Sequence, residues 1–169
     1  MDNQTKNNSN EELKKLGEKI KDIRIAMLTT LEDDGSLRSR PMATQQTEFD
    51  GTLWFFTKDN SPKVAEVAHD QHVNLSYAKP DDELYISISG TARIVRDQQK
   101  VKELWNPFVK AWFPKGPEDP ELVLLRVDPG QAEYWDSPSG TMVQLYGLVK
   151  AVVTGKPPTE ATEHKKVSL

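Results

Sequence analysis

Two short segments of the chain concentrate residue types that bind phosphate groups. The first is 38–42 (RSRPM), and the second is 56–63 (FTKDNSPK). In the second segment a strand pattern ends and a helix pattern begins at the Ser-Pro-Lys step. The first turn of a helix carries unpaired backbone N–H groups and a partial positive charge. A hydroxyl and an ammonium at the same place add further donors, so the pattern predicts a cradle for an anion.

The two arginines of the first segment are spaced to act together. Side chains alternate along a strand, so Arg38, Arg40 and Met42 share one face, with neighbours about 7 Å apart. On this spacing alone, the guanidinium groups either contact a phosphate, a pyrophosphate or an electron-rich ring, or lie solvated on an outer sheet face. Both alternatives stay open at this point.

Thr57, Ser61 and Lys63 are the candidates for direct contact with the anion. Thr57 ends a predicted strand, and Ser61 is the predicted cap of the following helix. Lys63 places a positive charge at the positive end of that helix, which is unfavourable unless an anion is also present. The alternative is an ordinary Ser-Pro cap followed by a solvated lysine.

Composition narrows the classes of function. The chain has 169 residues, a net charge of −4 and no cysteine. The negative charge argues against general binding to nucleic acid or anionic membranes, and the lack of cysteine excludes disulfides, thiolate zinc sites and iron–sulfur clusters. The polar N-terminus and the absence of long apolar runs predict a cytoplasmic protein. His69 and His72 have no carboxylate cluster beside them, so we predict no metal site.

Strand patterns dominate the sequence. We predict strands at 25–31, 37–48, 52–57, 72–78, 84–94 and 122–135, the last broken at 128–130. Asp-Gly turns separate the first three strands, which predicts an antiparallel meander. Gly90 interrupts an apolar series and marks a bulge or a close backbone approach. Six antiparallel strands with few helices predict a mainly β fold closed into a barrel, because closure removes exposed edges.

Helices are also predicted around these strands. The first begins at a cap at Ser9 or Asn10, and the second runs from Pro62 to about Asp70. The third begins after Asp97 and is kinked or stopped early by a proline at position 107. Residues 142–153 are predicted as helix, with strand as the alternative.

The order of these motifs resembles the pyridoxamine 5'-phosphate oxidase-like split barrels that bind FMN, and within them the general stress protein branch. The segments that carry the resemblance are 40–42 (RPM), 54–57 (WFFT), 61–63 (SPK), 112–116 (WFPKG), 124–129 (LLRVDP) and 133–136 (EYWD). The resemblance implies a six-stranded antiparallel split β-barrel with peripheral helices at about residues 10–155. Residues 1–9 would then be a disordered tail, and residues 156–169 an extended one.

The resemblance also implies a homodimer with FMN bound at its interface. The implied cofactor-binding residues are Arg38, Arg40, Pro41, Met42, Phe56, Thr57, Ser61, Lys63, Trp112 and Trp135. Main-chain groups of Pro41 and Met42 would meet the polar edge of the flavin, and Phe56 and Thr57 would line the ring and ribityl chain. Ser61 and Lys63 would hold the phosphate together with an arginine of the 38–42 segment. One of the two tryptophans would complete the site from the second subunit.

The chain departs from the pyridoxamine-phosphate oxidases themselves. It lacks their C-terminal Arg-Leu-His-Asp-Arg-like segment, and 61–63 reads Ser-Pro-Lys where they carry Ser-Arg-Lys. We therefore expect a flavin-dependent oxidoreductase of unknown substrate, with no assigned catalytic side chain, rather than a pyridoxamine-phosphate oxidase. The alternatives are a non-catalytic flavin-binding or buffering protein, a relative that uses the deazaflavin F420 or haem, and a plain interaction module.

Overall fold

The computed structural model describes residues 2–45, 49–136 and 163–168, which form one antiparallel sheet and four helices. The strands are β1 (Ile25–Leu31), β2 (Leu37–Ala43), β3 (Leu53–Lys58), β4 (His72–Lys79), β5 (Leu84–Val95), β6 (Leu122–Asp136) and β7 (Glu163–Ser168). The helices are α1 (Asp2–Ile20), α2 (Pro62–His69), α3 (Gln98–Leu104) and α4 (Pro107–Trp112). The prediction for 142–153 lies outside the described residues.

The sheet has the order β2-β1-β4-β5-β6-β3, and β7 pairs with β6. Strands β2 and β3 are therefore its two ends. They contact each other, but no ladder of hydrogen bonds joins them within the described residues, so the barrel is split rather than closed. The predicted fold class, a mainly β split barrel of six antiparallel strands, is confirmed by β1–β6. Strand β7 is an addition and comes from the segment predicted as an extended tail.

Strand β3 pairs with β6 and not with β2, so the predicted meander is wrong beyond its first hairpin. Phe56 lies opposite Leu124, and Thr57 opposite Val123. Strand β2 ends at Ala43 and β3 begins only at Leu53, so the two strands are too far apart in the sequence for a tight hairpin. Strand β6 offers a run of four buried apolar residues at 122–125, and this surface accepts β3, which is itself buried on both faces.

Two predicted element ends differ from the structure. Helix α1 begins at Asp2 instead of after a cap at Ser9 or Asn10. Extending an existing helix adds one hydrogen bond per residue, which costs far less than starting one. Strand β2 stops at Ala43 instead of position 48, because its partner on β1, Ile25, is the first residue of that strand.

The predicted effect of Pro107 is confirmed. Helix α3 ends at Leu104, and α4 starts at Pro107 with Asn106 as its cap. The Asn106 side-chain oxygen accepts hydrogen bonds from the N–H groups of Phe108 and Val109, at 3.0 and 3.1 Å. Proline fits the first position of a helix because its missing N–H needs no acceptor there.

Gly90 marks a close backbone approach, as predicted. A Cβ at this position would lie 2.3 Å from the carbonyl oxygen of Asp128. Gly90 pairs with Pro129 and Ser89 pairs with Gln131, so one residue of β6 is inserted as a bulge. The bulge lets β6 run unbroken where the sequence predicted an interruption at 128–130.

The face of β2 that carries the two arginines points into the barrel. Arg38, Arg40 and Met42 lie opposite Thr30, Leu28 and Ala26 of β1, and all three of these β1 residues are buried. The alternate face of the hairpin is the outer surface of the sheet. It exposes apolar side chains, namely Ile25, Met27 and Leu37.

Candidate functional site

An apolar pocket of about 210 Å³ lies between β2, the start of α2, and α4. It is lined by Ile25, Pro41, Met42, Ala43, Gln45, Phe56, Lys63, Phe108, Val109, Trp112 and Phe113. Five of the predicted site residues therefore surround one cavity: Pro41, Met42, Phe56, Lys63 and Trp112. Among these lining residues only Lys63 carries a charge.

A cluster of polar groups joins the end of β3 to the start of α2. The Lys63 ammonium donates a 3.1 Å hydrogen bond to Oγ1 of Thr57, which lies 3.1 Å from Oγ of Ser61. Ser61 occupies the cap position of α2, but its hydroxyl caps no helix N–H. The structure thus brings Thr57, Ser61 and Lys63 together, as the sequence predicted, and leaves the first turn of α2 without a side-chain cap.

Lys63 is held in an unfavourable electrostatic environment. Burial lowers the pKa of its ammonium, and the charges of Arg40 and Arg38 lower it further, while Glu66 partly offsets them. Within the described part of the chain, the structure gives this ammonium a hydrogen bond to Thr57 and no ion pair. A half-buried cation beside two others is stabilised by a bound anion.

Arg40 forms a closed network of hydrogen bonds with Thr30 and Glu66. Its Nη2 lies 2.6 Å from Oε2 of Glu66, and its Nη1 donates to Oγ1 of Thr30. The Thr30 hydroxyl in turn donates to the same Glu66 oxygen at 2.6 Å. Thr30 and Glu66 are both buried, so this guanidinium is not solvated on an outer face.

Arg38 lies nearer the solvent than Arg40. Its Nη1 is 3.3 Å from a carboxylate oxygen of Glu32 and 3.7 Å from Oε1 of Glu66, and about half of its side chain is exposed. Both arginines therefore contact carboxylates of their own chain. Glu66 was not among the residues predicted from the sequence. Nevertheless, a lone acidic residue in the apolar run 64–68 (VAEVA) is a signal that its carboxylate needs a specific charged or hydrogen-bonding partner.

The two predicted tryptophans occupy different places. Trp112 lies at the pocket rim with 65% of its surface exposed, beside Phe108 at 43%. Trp135 lies on β6 opposite Tyr85 and does not line the pocket. It is at the other end of β6 from residues 122–127, which pair with β3. Within one chain, then, the structure brings Trp112 to the predicted site and does not bring Trp135.

A second, larger cavity of about 530 Å³ lies between α1 and the start of β3. Gln45 lines both cavities, but none of the predicted cofactor residues lines this one. Two of the charged groups at its rim, Glu18 and Lys21, form an ion pair with each other at 2.5 Å. These two charges compensate each other, in contrast to the charge of Lys63, and we place the candidate site at the smaller pocket.

The described residues also bear on metal binding and on membrane insertion. No group of three His, Cys, Asp or Glu side chains able to hold a metal ion occurs among the residues that the structure describes. Over the same residues, none of the helices combines the length and the apolar character needed to cross a membrane.

The donor set fits a planar ligand that carries a phosphate. Lys63 supplies an ammonium to the pocket, and Met42 and Phe56 supply apolar walls. The hydroxyls of Thr57 and Ser61 do not line the pocket but lie behind this ammonium, where Thr57 accepts its hydrogen bond. The pocket, at about 210 Å³, is smaller than the roughly 300–1,000 Å³ of most small-molecule sites. Such a ligand would therefore extend beyond this pocket.

Comparison with known proteins agrees with this fold. The chain is 35% identical to protein bli-3 of Neurospora crassa over 161 residues, which cover 85% of this chain and 77% of that protein. A candidate general stress protein 26 from Jannaschia sp. CCS1 superposes with a TM-score of 0.76 at 27% identity, covering 96% of this chain and 99% of that one.

A second solved structure is that of the general stress FMN/FAD binding protein from Xanthomonas citri. It matches with a TM-score of 0.66 at 34% identity, over 77% of this chain and 92% of that chain. Residues 11–159 match the family described as pyridoxamine 5'-phosphate oxidase like. With this match over most of its length, the chain belongs to the pyridoxamine 5'-phosphate oxidase-like family.

Proposed function

We propose that this protein binds FMN at the pocket between β2, α2 and α4, and that it acts as a flavin-dependent oxidoreductase. The observation that carries the proposal is the half-buried Lys63 ammonium, which has hydroxyl neighbours but no ion pair among the described residues. The relative from Xanthomonas citri is an FMN/FAD binding protein by name, which supports a flavin as the ligand.

In this proposal the phosphate contacts Lys63 and Ser61 at the start of α2. Hydrogen bonds between charged groups and phosphate are stronger than neutral ones, and the helix N-terminus adds its partial positive charge. The ring would lie along Pro41 and Met42, with Phe56 as the opposite wall. The flavin supplies the redox chemistry when bound, and the chain's residues bind it, orient it and exclude water from one of its faces.

We further propose that two copies of the chain form the complete site. The small pocket opens beside exposed apolar side chains, Ile25, Phe108 and Trp112, and Met27 continues this surface on the outer face of β1. Trp135 lies opposite the exposed Tyr85 on the outer side of the sheet, so a second copy could bring it to the pocket. Covering this apolar surface would stabilise a homodimer.

The second candidate function is flavin binding without turnover. The lining of the pocket favours it in one respect, since it holds no carboxylate or histidine that could act as a general acid or base. Rapid reduction of the bound flavin by NADH or NADPH would support the oxidoreductase, and slow reduction the binding protein.

The test of the proposal is the cofactor of natively purified protein. We expect a yellow protein that releases FMN on denaturation, with one flavin per chain after added FMN has been taken up. A bound F420 or a haem Soret band would overturn the choice of FMN. A colourless protein that takes up no added flavin would overturn flavin binding altogether.

A further inference from the structure

We infer that Glu66 is an internal anion of the proposed phosphate site. Its carboxylate occupies the two arginines that a cofactor phosphate would otherwise contact, which stabilises the ligand-free protein and lowers its affinity for the phosphate. The inference depends on the proposed function for the identity of the ligand. The role it assigns to Glu66 goes beyond that function.

The first observation is the arrangement of the Glu66 carboxylate. Oε2 is 2.6 Å from Nη2 of Arg40 and accepts the Thr30 hydroxyl at 2.6 Å, while Oε1 is 3.7 Å from Nη1 of Arg38. Only about a tenth of the side chain is exposed. A single buried carboxylate thus compensates both arginines.

The second observation is the balance of charge around the start of α2. The charges of Arg38 and Arg40 both lower the pKa of Lys63, and the buried anion beside these three cations is Glu66. Glu32, the other carboxylate beside Arg38, lies at the surface side of that residue. The cluster keeps an excess of positive charge even with Glu66 ionised, and a phosphate monoester carries about two negative charges at neutral pH.

Removal of the Glu66 charge should act differently on the free and the bound protein. In the free protein, Arg40 would stay buried without its counter-ion, which is strongly unfavourable. In the bound protein, the phosphate would supply the missing negative charge. A substitution that costs more in the free than in the bound state must tighten binding, by thermodynamic linkage.

A different role for Glu66 would give the opposite sign. If the carboxylate oriented Arg40 toward the phosphate, its removal would free the guanidinium and weaken phosphate binding. The change in affinity for the phosphorylated ligand therefore separates an internal anion from a residue that positions Arg40. Riboflavin, which lacks the phosphate, reports any general damage to the ring pocket.

The experiment compares wild-type protein with Glu66→Gln, which keeps the shape of the side chain and removes its charge. Titrations with FMN and with riboflavin are followed by flavin fluorescence, and the melting temperature of the ligand-free protein is measured. We expect FMN to bind at least tenfold more tightly to the variant, riboflavin to change by less than twofold, and the ligand-free protein to melt at a lower temperature. In the control, Glu32→Gln, FMN affinity should change by less than threefold, because that ion pair is exposed.

Several outcomes would overturn the inference. Weaker FMN binding with unchanged riboflavin would make Glu66 a positioning residue for Arg40, and an equal loss for both ligands would make it purely structural. A variant that folds only in the presence of FMN or phosphate supports the inference, since this is the extreme of the same linkage. A variant that stays unfolded with both ligands contradicts it.

Failure of the proposed function would be visible separately. If wild-type protein takes up neither flavin, FMN binding itself is excluded, and inorganic phosphate becomes the probe for Glu66. Phosphate should then raise the melting temperature of Glu66→Gln more than that of the wild type. An equal or smaller rise in the variant would contradict the inference.

Discussion

The ammonium of Lys63 donates a hydrogen bond of 3.1 Å to Oγ1 of Thr57, six residues earlier in the chain. The bond joins the first turn of α2 to the end of strand β3, where Thr57 is buried. The lysine thereby gives up part of its hydration without an ion pair in return, within the described residues. This arrangement is unfavourable in the free protein and becomes favourable when an anion binds.

Replacement of Lys63 should remove most of the preference for a phosphorylated ligand. Charge-assisted hydrogen bonds to phosphate contribute roughly 1.5–3 kcal/mol each. We therefore expect Lys63→Ala to weaken FMN binding by about tenfold to a hundredfold, and the double variant with Ser61→Ala to weaken it further. Titration with FMN and riboflavin, followed by fluorescence, measures both effects.

The matched control is Lys58→Ala, at the end of β3. This lysine is half exposed, and its carboxylate neighbour, Glu121, is 3.9 Å away at the surface. Its removal should leave both flavin affinities unchanged, because exposed ion pairs contribute little. Equal losses in the two alanine variants, or an unchanged FMN affinity for Lys63→Ala, would remove Lys63 from the site.

The stability of the ligand-free protein should respond to the charge on Lys63. Burial and the nearby arginines lower its pKa below the usual 10.5, so the unfolded chain binds more protons than the folded one between the folded pKa and 10.5. Below the folded pKa, the buried charge of Lys63 lowers the free energy of unfolding by its full amount. As the pH rises from the folded pKa to 10.5, this destabilisation is lost and the free energy of unfolding increases. The melting temperature of Lys63→Met relative to wild type should therefore fall as the pH is raised from 7 to 10. A difference that stays constant would contradict this.

The close approach at the β-bulge should make Gly90 irreplaceable. A Cβ there would meet the Asp128 carbonyl at 2.3 Å, whereas one at Gly130 would meet its nearest neighbour only at 3.8 Å. We expect Gly90→Ala to lower the free energy of unfolding by about 2 kcal/mol or more, since overpacking costs roughly 1–3 kcal/mol. Gly130→Ala, two positions from Asp128, is the control and should cost less than about 1 kcal/mol in the same urea unfolding experiment. Similar losses of unfolding free energy for both variants would mean that β5 and β6 move apart at the bulge at little cost.

Trp112 should matter for the assembled site and little for folding. With 65% of its surface exposed, Trp112→Ala should change the free energy of unfolding by less than about 0.5 kcal/mol. We expect FMN and riboflavin to bind less tightly by a similar factor, because the residue lines the ring pocket and not the phosphate end. Analytical ultracentrifugation should also show a weaker dimer, since exposed tryptophans often contribute about 2 kcal/mol or more at interfaces. Unchanged association and unchanged flavin affinity would place Trp112 outside the site.

The sequence was sufficient for features that local chemistry determines. The stop at Pro107, the close approach at Gly90 and the grouping of Thr57, Ser61 and Lys63 all follow from residue types within a few positions of one another. The strand pattern also predicted a mainly β barrel, and the resemblance to a family then specified that the barrel is split.

The features that the sequence did not reveal depend on contacts between distant segments. The pairing of β3 with β6 joins residues about 70 positions apart, and no local turn signal specifies it. Glu66 and Arg40 are 26 positions apart, so their ion pair could not be read from spacing either. Even so, a charged residue inside the apolar run of α2 was a sign that a buried partner existed.

A crystal structure of the protein with FMN tests the central claim most directly. We predict the phosphate within hydrogen-bonding distance of the Lys63 ammonium and the Ser61 hydroxyl, and the isoalloxazine ring against the Pro41–Met42 backbone. Electron density for the phosphate at any other place, with Lys63 still bonded only to Thr57, would contradict the account.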